Sequence, residues 1–67
     1  MNKPKRLATG NKVKITDKAS QHFGKTGILI EVRRVPVRMR LEYHWLIRLD
    51  GTNTMEVFAP EQLEKID

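Results

Sequence analysis

From Val35 to Leu49 the chain alternates apolar and polar side chains almost without a break. Val35, Val37, Met39, Leu41, Tyr43, Trp45, Ile47 and Leu49 hold the odd positions, and Pro36, Arg38, Arg40, Glu42, His44 and Arg48 most of the even ones. A period of two over that length excludes an amphipathic helix and predicts extended chain. Pro36 cannot donate to a ladder, which assigns its neighbourhood to an edge or a connection. The pattern therefore predicts a long protruding hairpin loop at about 34–41 and a strand over 42–49. Tyr43 and Trp45, in phase with Ile47 and Leu49, are expected in the core.

The same rule divides the remainder. Residues 12–16 alternate as a short half-buried strand with Val13 and Ile15 inward. Residues 17–24 are polar and end in Gly24, as a surface loop does. Residues 26–33 are rich in β-branched side chains and predict a second strand, with Ile28, Ile30 and Val32 on one face and Glu31 and Arg33 on the other. Asp50-Gly51-Thr52-Asn53 is a hairpin turn signal, and residues 54–58 supply a fourth strand. Residues 59–63 predict a single 3₁₀ turn started by Pro60, with Leu63 packing back, before a last short strand over 64–66. Residues 1–9 lack periodicity and carry Pro4 beside Lys3, Lys5 and Arg6, the composition of a flexible basic arm. Residues 10–67 then form one all-β domain.

With 67 residues and no cysteine, neither disulfides nor a thiolate metal site can staple the fold. Two histidines, His22 and His44, are too few for a zinc site without carboxylates. No apolar run approaches the ~20 residues of a membrane helix, and no apolar segment follows the basic start as in a signal peptide. The expectation is a soluble, cytoplasmic chain that needs no cofactor.

Charge is spread unevenly. Residues 1–48 carry a balance of +9 and residues 49–67 a balance of −4, within a net charge of +5. Five of the six arginines, Arg33, Arg34, Arg38, Arg40 and Arg48, fall within sixteen residues. The planar guanidinium fork suits phosphate and carboxylate, so these residues are candidates for docking an anionic partner. On a regular strand Arg38, Arg40 and Arg48 would share a face, with Arg33 and Arg34 at the base of the loop. Such charges also serve to block strand-edge aggregation. Lys25 and Phe23 are further candidates, Phe23 as an aromatic expected to be exposed in the first loop. Four apolar side chains interleaved with arginine at 35–41 suit a protein interface, by self-association or with another partner.

Between residues 10 and 33, a turn glycine, a Val-x-Ile strand, a polar loop and Gly24-Lys25-Thr26-Gly27 lead into Ile-Leu-Ile-Glu-Val. This segment resembles the KOW motif of a ribosomal large-subunit protein and of NusG-type elongation factors. The end of the chain, residues 58–66, looks like the final turn and strand of many SH3-like barrels. The resemblance implies a single small SH3-like five-stranded barrel with one 3₁₀ turn before the last strand, and RNA or DNA as partner. The plan is also similar to SH3-like accessory subunits of photosynthetic electron-transfer complexes, which implies an acidic protein surface as the partner instead. A plasmid-borne dihydrofolate reductase shares the barrel, and its catalytic strand loosely resembles residues 54–58. Glu56 stands where that family has Gln, which speaks against catalysis. No Ser/His/Asp set, phosphate-cradling loop or metal-ligand spacing is present in the sequence. The expected function is a non-catalytic binding module for an anionic partner, nucleic acid or ribonucleoprotein before acidic protein, with an oligomeric reductase as a third reading.

Overall fold

Eight buried apolar side chains make the core, and every strand contributes to it: Val13, Ile15, Leu29, Trp45, Ile47, Leu49, Phe58 and Leu63. The computed structural model describes residues 7–66. The strands are β1 (Lys12–Ile15), β2 (Thr26–Val37), β3 (Arg40–Leu49), β4 (Met55–Phe58) and β5 (Leu63–Lys65), with a 3₁₀ turn at Pro60–Gln62 immediately before β5. All pairings are antiparallel, and the strand order is β4-β3-β2-β1-β5. The five-stranded sheet is barrel-like without closing, so β4 and β5 are its edges. This all-β architecture, with its single 3₁₀ turn ahead of the last strand, agrees with the sequence expectation and is compatible with a small SH3-like barrel.

Local chemistry explains the boundaries. Gly24 takes φ +86°, which an L side chain rarely adopts, and lets the first loop turn back onto β1. There its N–H donates to the Ile15 carbonyl at 2.9 Å, while the Ile15 N–H donates to Lys25 O at 2.8 Å. Gly27 lies in β2 opposite Leu49, where an added Cβ would sit 2.6 Å from Arg48 O and from Ile47 Cγ2. The two glycines of the Gly-Lys-Thr-Gly element thus answer different demands, one of backbone dihedral and one of space. At the other end of the chain the Gln62 side chain accepts from the Ala59 N–H at 2.7 Å and donates to Asp17 Oδ2 at 2.7 Å. That side chain joins the 3₁₀ turn to the first loop.

Two expectations are corrected. No loop spans 34–41, because β2 continues to Val37, β3 begins at Arg40, and only Arg38 and Met39 separate them. Both turn residues have positive φ, 48° and 68°, the backbone that matches the right-handed twist of the flanking strands. The apolar alternation there is strand pairing, and Pro36 is accommodated because the ribbon has no further neighbour on that stretch of β2. The faces of β2 also differ from a simple alternation. Leu29 pairs with Ile47 and Glu31 with Leu46, leaving Ile30 as the extra residue of a bulge. Before the bulge Gly27 and Leu29 face the core; after it Val32 takes that side, opposite Trp45, but lies past the covered part of the sheet and is exposed. Ile28 and Val32 therefore lie on opposite faces.

Of the basic arm expected over 1–9, residues 1–6, including Lys3, Lys5 and Arg6, lie outside the described residues. Leu7 packs against the core, and the Ala8 N–H donates to Asn11 Oδ1 at 2.9 Å, so this end of the segment is tied to the body.

Candidate functional site

The β2–β3 pair outruns the rest of the sheet. β1 pairs with β2 only over Thr26–Ile28, and β4 with β3 only over Trp45–Arg48. Five successive pairs, from Arg33 opposite His44 to Val37 opposite Arg40, lie beyond both neighbours. They form a two-stranded ribbon of roughly 17 Å at ~3.4 Å per residue. Beside the 3₁₀ turn, Arg40, Glu42, Tyr43 and His44 of the ribbon line a shallow cleft of about 410 Å³ with Pro60 and Glu61.

Register sorts the ribbon side chains into two faces, since directly paired residues point the same way. The face continuous with the core carries Val32, Arg34, Pro36, Leu41 and Tyr43, in phase with Trp45. The opposite face carries Glu31, Arg33, Val35, Val37, Arg40, Glu42 and His44, in phase with Leu46. On that second face both arginines are paired, Arg33 Nε to Glu31 Oε2 at 2.5 Å and Arg40 Nη2 to Glu42 Oε2 at 3.5 Å, and His44 Nε2 lies 3.3 Å from Glu42 Oε1. The two arginine pairs are solvent-exposed and contribute little to stability. On the first face Arg34 has no ion-pair partner among the described residues, and neither has Arg38 at the tip.

The arginines expected to form one patch are thus distributed. Arg33 and Arg34 point to opposite faces, and Arg38 sits in the turn. Arg40 and Arg48 share a face of β3 but are eight residues apart, roughly 26 Å of strand. Arg48 lies beside Asp50, whose carboxyl is held below its ordinary pKa by the hydrogen bond from Lys12 foremost, then by that from Thr26, with the Lys12 and Arg48 charges adding to it. The Lys12 ammonium is 2.6 Å from Asp50 Oδ2, and the Thr26 hydroxyl donates to the same oxygen at 2.6 Å. Lys25 and Phe23 belong to this end as well; Phe23 is half exposed, as expected, and Lys25 joins His22, Asp50 and Thr54 around a second shallow cleft.

Tyr43 is the clearest departure from the sequence reading. Trp45 is buried, but Tyr43 is 59% exposed because its position on β3 is past the end of β4 and faces Arg34 rather than a covering strand. Leu41 is exposed for the same reason, and Met39 because it sits in the turn. Alternation could identify which face these residues join but not where that face stops being covered.

His22 and Glu56 form a contact that no spacing could suggest. His22 Nε2 lies 2.5 Å from Glu56 Oε2, and its ring meets Phe58 edge-on at 6.2 Å between centroids. This contact fastens the first loop to β4 and occupies the carboxylate of the strand that loosely resembles a reductase motif. Among the described residues no group of three or more His, Cys, Asp or Glu is placed to hold a metal ion. Among the same residues no helix is long and apolar enough to cross a membrane.

No protein-family model, curated protein or solved structure matches the chain significantly. The geometry of the ribbon is therefore the ground for a functional reading.

Proposed function

We propose that the protein is a non-catalytic binding module, a KOW-like barrel that docks nucleic acid or a ribonucleoprotein through its β2–β3 ribbon. One observation carries the reading: the ribbon extends past every other strand and bears four of the six arginines, Arg33, Arg34, Arg38 and Arg40. A two-stranded ribbon without further neighbours adds little to the core. Its arginines supply guanidinium forks suited to phosphate, and a net charge of +5 favours approach to a polyanion. Lys25 and Arg48, at the far end of the sheet, are then secondary contacts.

The test is binding of labelled RNA and DNA by fluorescence anisotropy across a salt series. Affinity falls log-linearly with salt, and the double substitution Arg34→Ala, Arg38→Ala reduces the slope by about two, one for each lost phosphate contact. No binding of either nucleic acid at low salt contradicts the proposal.

A second reading, an accessory subunit docking an acidic protein surface, draws on the exposed Val32, Met39 and Leu41, since aliphatic and arginine side chains together suit a protein interface. Recovery of a defined nucleic-acid-free complex, lost on charge reversal of Arg34 and Arg38, favours that reading over the first.

A further inference from the structure

The two faces of the ribbon differ in more than composition. On the face with Glu31, Arg33, Arg40 and Glu42, two arginines and two glutamates cancel, and both arginines are already engaged. A phosphate approaching there meets carboxylates. On the opposite face the two ribbon strands contribute no carboxylate between Val32 and Tyr43, only Arg34 among Val32, Pro36, Leu41 and Tyr43, and Glu61 borders the cleft beside the 3₁₀ turn that Tyr43 also lines. Arg38 at the tip adds a second cation without an ion-pair partner among the described residues.

Resting on the nucleic-acid reading of the ribbon, we infer that this face takes single-stranded nucleic acid, with an unpaired base stacked on Tyr43 and phosphates on Arg34 and Arg38. Tyr43 is 59% exposed and stands directly opposite Arg34, so their Cβ atoms are about 5 Å apart. A ring and a cation at that separation fit one nucleotide, the base against the ring and the phosphate against the guanidinium. Duplex keeps its bases stacked inside and offers none to the ring. Exposed aliphatic neighbours, Leu41 and Val32, flank the ring and would be unfavourable against a wall of phosphates alone, yet they suit the apolar faces of splayed bases. The remaining aromatics do not compete for this role, because Trp45 and Phe58 are buried and Phe23 lies at the other end of β2.

The experiment compares a short labelled single strand with the duplex of the same sequence, for the intact chain and three variants at Tyr43. Single strand is expected to bind at least about tenfold more tightly than duplex, and Tyr43→Ala to lose about tenfold or more of the single-strand affinity. Tyr43→Phe keeps the ring and the affinity. Tyr43→Leu keeps apolar area without a ring and behaves like Tyr43→Ala. Fluorescence of the buried Trp45 verifies that each variant is folded. Equal or tighter binding of duplex overturns the inference while leaving nucleic-acid binding intact, and so does full affinity in folded Tyr43→Leu. Failure of both single strand and duplex to bind overturns the underlying reading, and this inference with it.

Discussion

Arg34 stands opposite Tyr43 across the β2–β3 ribbon, whereas its chain neighbour Arg33 stands opposite His44 on the other face. Two adjacent arginines are therefore expected to behave differently. Arg34→Ala should weaken nucleic-acid binding by about fivefold or more and lower the salt slope by about one, whereas Arg33→Ala should stay within about threefold of the parent. Arg33 is already held by Glu31 and has less to give up. Anisotropy titrations of both variants at two salt concentrations check this; equal losses would mean that the face assignment is wrong.

The ribbon turn predicts a conflict between stability and binding. Arg38 and Met39 hold left-handed backbone that costs a non-glycine residue roughly 1 kcal/mol or more. Asn-Gly is the favoured pair for this geometry. Replacing both, Arg38→Asn with Met39→Gly, should raise stability by about 1 kcal/mol, or roughly 4–8 °C in Tm for a domain of this size. The same variant should bind nucleic acid less well, because it loses the tip cation. A thermal melt and a binding titration of one protein preparation measure both effects.

The glycines of the Gly-Lys-Thr-Gly element separate by mechanism. Gly27→Ala would place Cβ against the Arg48 carbonyl and the Ile47 side chain, forcing β2 from β3, with an expected loss of about 1–3 kcal/mol or more. Gly24→Ala meets nothing within 4 Å and is opposed only by its positive φ, about 1 kcal/mol. Urea denaturation followed by Trp45 fluorescence should rank Gly27→Ala as the more damaging change.

Acid stability should depend on two carboxylates. Asp17 is held below its ordinary pKa by the hydrogen bond from Gln62 first and that from the Ala19 N–H second, and Asp50 by Lys12 and then Thr26. A depressed folded-state pKa means that the unfolded chain binds protons first as pH falls. The stabilisation is accordingly present above the unfolded carboxylate value of about 3.9 and is lost as pH falls through the lower folded value. Asp17→Asn and Asp50→Asn should each flatten the acid limb of a Tm-against-pH profile below about pH 4 and leave its slope near neutrality unchanged. An unaltered acid limb in both would show that these contacts do not persist in solution.

How far the fold could be read from sequence varied with the physics involved. Val13, Ile15, Ile47 and Leu49 announce their strands because alternation reports burial directly, and Pro60 marks the 3₁₀ turn because its fixed φ suits a helical start. The hairpin at Arg38-Met39 is illegible in the sequence because neither residue is a usual turn former, so the extended pattern carries no signal of where the chain reverses. The bulge at Ile30 was hidden for a related reason: an inserted residue between Leu29 and Glu31 inverts the faces of all that follows, and no residue type announces it. That inversion decides which arginine accompanies Tyr43. The arginines were visible as a cluster in sequence; their division between paired and unpaired faces follows only from register.

The central claim, that the ribbon is the docking surface, is tested most directly by mapping amide chemical-shift changes while a single-stranded oligonucleotide is added at low salt. The predicted shifts concentrate on residues 32–43, with the largest at Arg34, Arg38 and Tyr43, and fade as salt is raised. Shifts confined to the opposite end, around Lys25, Arg48 and Asp50, or no shifts in any part of the chain, would contradict it.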